Sequence, residues 1–307
     1  MTFEEKLRKA KKNVKQSSIE TYARNIRRLR KLKNDLPVPP DTHAWLTKKE
    51  LIDHVEKLPL NQRRHLTTAA TVALGVYGGK STRWKDLQHG AMKEFDELRR
   101  ERKLTDKQKK KIPSKGFDSL KAVIATMKRE LRHILTKARD EWSFDDLYRV
   151  QDLLILQLYY DRPLRLDYAT LQIGTGEKGN TLAKSMSKVR GWHVILRDFK
   201  TQSSMGEQRF KLNTANQRLM NKFAIARHRL VKHPRLLSNR NRGPMSRQVL
   251  SKRLLALTRK RIGKSFSTQL LRILYAMKNR GVLESAKKVS ERLMHSQEQS
   301  LQYAKKD

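Results

Sequence analysis

The sequence predicts a mainly α, α+β chain. A helical N-terminal domain covers residues 1–112, and a C-terminal domain of helices around a small antiparallel sheet covers 113–307. Three observations predict it. Apolar residues recur at three- and four-residue steps through most of the chain. Strand-like segments interrupt them only between about residues 168 and 212. A polar, lysine-rich stretch, "KLTDKQKKKIPSKG" at 103–116, separates the two parts and reads as a flexible linker or an ordinary exposed loop.

In "SSIETYARNIRRLRKLKN", Ser17 or Ser18 is placed to cap a helix. Ile19, Tyr22, Ile26 and Leu29 form its apolar face, and Arg24, Arg27, Arg28 and Arg30 its basic face. "PVPP" at 37–40 ends that unit. "TKKELIDHVEKL" reads as a short helix with Thr47 as cap and Glu50 three residues on. The small, apolar "NQRRHLTTAATVALGVYGG" stops at Gly78 and Gly79, and "STRWKDLQHGAMKEFDELRRERK" is another amphipathic helix. These make a four- or five-helix domain.

Beyond the linker, one helix is expected from Phe117 to about Lys137 and another from Ser143 or Phe144 to Tyr160. "YATLQIG", "GWHVILRDF" and "EQRFKL" read as strands, with "KTQSSMGE" as a hairpin loop. Helical patterns return in "TANQRLMNKFAIARHRLVK", "SRQVLSKRLLALTRKRIG", "SFSTQLLRILYAMKNRG" and "ESAKKVSERLMHS". "GTGEKG" at 174–179 matches the glycine spacing of a dinucleotide loop. No apolar helical stripe follows it, so it reads as a turn.

The 307 residues hold 70 Lys and Arg against 30 Asp and Glu, a formal charge of +40. A field of that size calls for a partner of dense negative charge, nucleic acid or an anionic membrane. The longest apolar stretch, "LLILQLYY" at 153–160, falls well short of the roughly 20 residues a spanning helix needs. "MTFEEKLRKAKK" lacks the apolar segment of a signal peptide. Nucleic acid is the expected partner and the interior of a cell the expected location. Between Gln208 and Val282 there are 20 Lys or Arg and no acid, which marks a folded surface lying against phosphates. With no cysteine, disulfides, thiolate zinc sites and cysteine nucleophiles are out. No phosphate-binding P-loop and no metal motif are present, so no cofactor is expected.

Within the basic C-terminal part, an ordered set of residues carries the chemistry. An arginine, Arg165 in "YYDRPLRLDYATLQI", follows a long apolar helix, with Arg162 as its competitor. Lys200 sits at the hairpin, Arg272 in a late helix, and His295 and Tyr303 close the chain. The series resembles the tyrosine recombinase (phage integrase) family. The "P-x-R-x-D-Y" sequence around Arg165 looks like the integrases of large DNA viruses, virophages and related mobile elements. The resemblance covers residues from about 117 onward; the first third is similar to the family's core-binding domain by position and composition only.

The resemblance implies that Arg165 and Arg272 clamp a scissile phosphate and that Lys200 protonates the 5′-oxygen. His295 would assist, and Tyr303 would attack phosphorus to leave a 3′-phosphotyrosyl link. It implies a homotetramer assembled on double-stranded DNA, with neither ATP nor metal. The residue types suit phosphodiester cleavage, which needs cations for the developing phosphorane charge, a nucleophile, and an acid for the leaving oxygen. The family's H-x-x-R box has Gln269 in place of its histidine, and an amide cannot titrate. Three other readings stand beside strand exchange: a type IB topoisomerase, a non-catalytic DNA-binding protein on a decayed recombinase scaffold, and an RNA-binding or architectural basic protein; taken alone, Tyr303 also reads as a simple core contact.

Overall fold

The computed structural model describes residues 3–12, 14, 16–32, 43–101, 103–185, 190–280, 292–294, 299 and 303. The chain forms two compact units, Met1–Glu101 and Arg102–Asp307. Each has its own hydrophobic core.

The first unit is helical. α1 (Phe3–Ala10), α2 (Gln16–Lys31), α3 (Lys49–Glu56), α4 (Leu60–Val76) and α5 (Thr82–Arg100) bury Phe3, Leu7, Ile26, Leu46, Leu66 and Trp84 together. Ile19, Ala23, Ile26 and Leu29 face that core from α2. On its other side Arg27 pairs with Glu4, whereas Arg30, one turn after Ile26, is half-buried on the core side and stacks over Trp45 at 5.3 Å. Two expected caps are corrected. α2 opens at Gln16, so Ser17 and Ser18 lie inside it. Lys48 precedes α3 without a side-chain cap, because Thr47 ends a 3-10 turn and its hydroxyl bonds back to the Ala44 carbonyl. Ser81 does cap α5, accepting from the Trp84 amide. The proline run at 37–40 lies outside the described residues.

The second unit begins where the sequence suggested a flexible linker, and that expectation is corrected. Leu104 is buried, Ile112 packs on the core, and Thr105 and Gln108 form a capping box on α6 (Asp106–Lys109). Lys264 also ties down the Lys110 carbonyl at 2.9 Å. The helix expected from Phe117 to Lys137 is two, α7 (Ser119–Glu130) and α8 (Arg132–Thr136).

α9 (Phe144–Asp161) is the spine of the unit. Ser143 and Asp146 close a capping box at its start, and Leu153 to Tyr159 are buried without a break. Pro163 bars its continuation, and Arg162 is extended as a residue before proline prefers to be. Two tyrosine hydroxyls then fix the turn. Tyr168 donates to the carbonyls of Leu158 (3.1 Å) and Arg162 (2.7 Å), and Tyr159 donates to that of Arg165 (2.7 Å). Tyr168→Phe is therefore expected to lower unfolding stability by about 1–3 kcal/mol, read as a lower urea midpoint at unchanged slope.

The sheet has four strands in the order β1-β2-β3-β4. They are β1 (Gln172–Ile173), β2 (Thr181–Ser185), β3 (Gly191–Leu196) and β4 (Gln208–Lys211). It is mixed rather than antiparallel, because β1 runs parallel to β2, pairing Gln172 with Thr181. "YATLQIG" contributes only β1. Its first half is a 3-10 turn over Asp167–Thr170, curled by the Tyr168 hydroxyl bonds. "GTGEKG" forms the turn to β2, with Gly174 and Gly179 at positive φ and no helix opening on it. A short helix, α10 (Gln202–Met205), sits inside the hairpin loop between β3 and β4.

α11 (Thr214–Leu230), α12 (Arg247–Ile262) and α13 (Thr268–Lys278) complete the described elements. Asn213, Ser246 and Ser267 cap them, and left-handed Gly263 ends α12. Among the described residues no helix is long and apolar enough to cross a membrane.

Candidate active site

Arg272 lies on α13 within an unbroken buried run, Leu270–Ala276, and is itself 2% exposed. An arginine head in such a place must be compensated. One Nη2 bond reaches the Leu293 carbonyl at 3.1 Å, and Nε has no partner among the described residues. The guanidinium stands 4.9 Å from the ring centroid of Tyr303, which is half-buried against the core. Burial, with Arg165 nearby, brings the Arg272 pKa down to about 10, while Tyr303, Asp167 and Tyr159 act the other way. Arg272 stays charged at neutral pH but is short of an anion.

Arg272 thus has Tyr303 against its guanidinium, and Arg165, from the turn after α9, is near enough to act on its charge. The Tyr159 hydroxyl holds the Arg165 backbone. Asp167, a possible ion-pair partner for Arg165 by sequence, pairs with Arg247 at 3.5 Å instead. Among the described residues the Arg165 guanidinium forms no ion pair. Its competitor, Arg162, lies flat on Phe210 at 3.7 Å, and burial lowers its pKa.

Lys200 is exposed in the hairpin loop. Asn180 braces the base of that loop, its Oδ1 accepting from the amides of Arg197 and Asp198 at 2.8 Å and its Nδ2 donating to the Asp198 carbonyl. Phe199 anchors the loop in the core beside Lys200. Thr201, the next residue, donates to the Met294 carbonyl at 3.1 Å. Residues 292–294 therefore join the hairpin to Arg272, since Leu293 receives the Arg272 bond. No contact links Lys200 itself to the arginines or Tyr303 among the described residues. Gln269 is exposed on the first turn of α13, one turn before Arg272. His295 lies outside the described residues.

The sequence did not single out three residues here as parts of a site: Asp167, Tyr159 and Tyr168. Asp167 is buried, and burial raises its pKa although Arg247, Arg165 and Arg272 all pull it down. Its signal was a carboxylate in the apolar run "RLDYATL". Three arginines and one further carboxylate, Asp198, act on Asp167, which still leaves an excess of positive charge. Among the described residues no group of three or more acids, histidines or cysteines could hold a metal ion.

This architecture has counterparts among solved structures. The chain is similar to the XerH site-specific recombinase bound to difH substrate, at 15% identity and a TM-score of 0.58, covering 98% of this chain and 79% of that one. It is similar to the Tn1549 transposon integrase in complex with transposon right end DNA, at 14% identity and a TM-score of 0.55, covering 100% and 96%. A lambda integrase dimer bound to a COC' core site gives 14% identity and a TM-score of 0.52, over 98% and 76%. No family model matches the chain, and no curated protein does. The chain has the tyrosine recombinase fold, helices around a small sheet.

Proposed function

We propose that this protein is a site-specific DNA recombinase that cleaves and rejoins strands through a 3′-phosphotyrosyl intermediate. The observation that carries this is the buried, under-compensated Arg272 stacked on Tyr303 with Arg165 beside it. A phosphodiester brings one negative charge, and the phosphorane formed on attack brings a second. The excess of arginine over carboxylate suits that change, and donors fixed in a buried setting act strongly on developing charge. The clamp arginine is Arg165 rather than Arg162, whose cation is already engaged by Phe210.

Tyr303 Oη gives its proton to His295 and attacks phosphorus, and the P–O5′ bond breaks. The 5′-oxygen leaves with a proton from Lys200 Nζ, and the bond energy is kept in the phosphotyrosine. A partner strand's 5′-hydroxyl then attacks that phosphorus, expels Tyr303 and restores a diester. Gln269 offers the phosphate a hydrogen bond but takes no proton, and His295 assists proton transfer. The first unit supplies a second basic DNA contact, and four copies assemble on two duplexes.

The direct test is a duplex nicked next to the cleavage position, which traps a covalent adduct on a denaturing gel; relaxation of supercoiled plasmid without recombinants would identify a topoisomerase instead. Lys200→Ala is expected to slow cleavage of ordinary DNA about 100-fold or more, and a 5′-bridging sulfur, which leaves without a proton, should restore it. Equal loss on both substrates would show that Lys200 positions the phosphate and is not the acid.

A further inference from the structure

A second basic site shares no residue with the one described. A cavity of about 350 Å³ opens between α7, α9 and α12. Its place on α9 is Arg149 and Asp152, about 18 and 14 Å of helix rise before the turn that bears Arg165. Met127, Leu131 and Leu257 give it an apolar floor.

The charges around the cavity are not balanced. Asp152 is held by Arg253, with Nε 2.7 Å from Oδ1 and a second bond from Nη2 to the other oxygen. Glu130 is held by Arg261 at 2.7 Å. Both acids are thereby occupied. Arg149, Arg240 and Lys260 remain on the rim, exposed and without an acid partner among the described residues. The buried Nε of Arg261 also has no acceptor among them.

Arg240 is held in place by its loop. The Asn239 side chain accepts from the amides of Asn241 and Gly243 at 2.9 Å, and Arg242 sits in the left-handed region at φ 60°, a conformation that costs energy for a residue with a Cβ. The Arg240 guanidinium thus stands 5.7 Å from the Tyr148 ring, beside the Asp152–Arg253 pair.

We propose that this cleft binds a phosphate-bearing ligand of nucleotide size. The phosphates lie on Arg149, Arg240 and Lys260, and the base or other apolar part lies on the floor of Met127, Leu131 and Leu257. The volume is within the range of small-ligand sites, and three rim cations around an apolar floor match a phosphate ester better than a simple anion. The phosphate can come from a free nucleotide or from the 5′ end of a nucleic acid strand. The site is independent of the strand chemistry assigned to Tyr303.

The test is titration of the full-length protein, in the presence of a chelator, with ATP and with a short single-stranded oligonucleotide bearing or lacking a 5′-phosphate. Two triple variants lose the same charge: Arg149→Gln/Arg240→Gln/Lys260→Gln in the cleft, and Lys211→Gln/Arg218→Gln/Lys232→Gln at exposed positions elsewhere on the unit. Saturable ATP binding, weakened about tenfold or more in the cleft variant and within about twofold of wild type in the other, assigns the cleft to free nucleotides. A preference for the 5′-phosphorylated oligonucleotide alone, lost only in the cleft variant, assigns it to a strand end. Equal losses in both variants, or no phosphate-dependent binding by the wild type, would overturn the proposal.

Discussion

Replacing Arg272 by methionine is expected to leave the protein at least as stable as the wild type while slowing strand cleavage by about 100- to 1000-fold. Both halves follow from one placement. The side chain is 2% exposed, has one carbonyl partner at 3.1 Å and an unpartnered Nε, and carries no carboxylate hydrogen bond among the described residues. A cation held that way works against folding, and an apolar chain of similar length removes the desolvation cost. On the proposed mechanism the same cation is a donor to the phosphate that Tyr303 attacks, since it stands 4.9 Å from the Tyr303 ring. Thermal unfolding and adduct formation on a nicked duplex, measured on the same preparation, check the two halves. Arg272→Lys should fall between them, keeping the charge but losing the planar fork. A methionine variant that cleaves at the wild-type rate would remove Arg272 from the site, and one that is clearly less stable would make it a structural residue.

Tyr303→Phe is expected to abolish the covalent adduct and to leave duplex affinity within about twofold, since one hydroxyl adds little to an interface of many phosphate contacts. The ring of Tyr303 packs on the core and faces Arg272, and phenylalanine keeps both contacts. Loss of the adduct with these two contacts kept points to the missing hydroxyl. Adduct formed by the phenylalanine variant at the wild-type level would mean that another tyrosine is the nucleophile and that Tyr303 is a core contact.

Much of the fold was legible because it rests on local rules. The Ser143 capping box and the apolar run to Tyr159 specify α9 without help from the rest of the chain. β2 was not legible, because "TLAKS" is short and shows its strand character only against its partner β3. "YATLQIG" was read as a strand because its apolar residues suit one, but the hydroxyl of Tyr168 bends its first half into a turn. The linker reading failed for a related reason: Leu104 and Ile112, the two residues that dock the segment, are a small minority in a run of lysines.

At the site, residue types and order were visible, but burial was not. Nothing in "STQLLRILYA" says that Arg272 points inward, because an arginine in an apolar helix more often reaches to solvent. Arg162 and Arg165 are equally basic in sequence. Their surroundings differ: Arg162 lies on Phe210, from a strand 48 positions away, while Arg165 is near enough to Arg272 to act on its charge. The pairing of Asp167 with Arg247 spans still more of the sequence and is equally hidden from it.

The two tyrosine hydroxyls that lock the turn after α9 bear on the thermodynamics of the proposed reaction. With the Tyr159 hydroxyl on the Arg165 carbonyl and that of Tyr168 on Arg162, the backbone beneath the arginine loses its freedom when the chain folds, before any substrate arrives. The ordering entropy of this segment therefore falls on the native state and not on the encounter with a phosphate. If Arg165 clamps the phosphate as proposed, a backbone ordered in advance would leave the chemical barrier to be governed by enthalpy, and the temperature coefficient of cleavage would measure bond making and breaking more than loop closure.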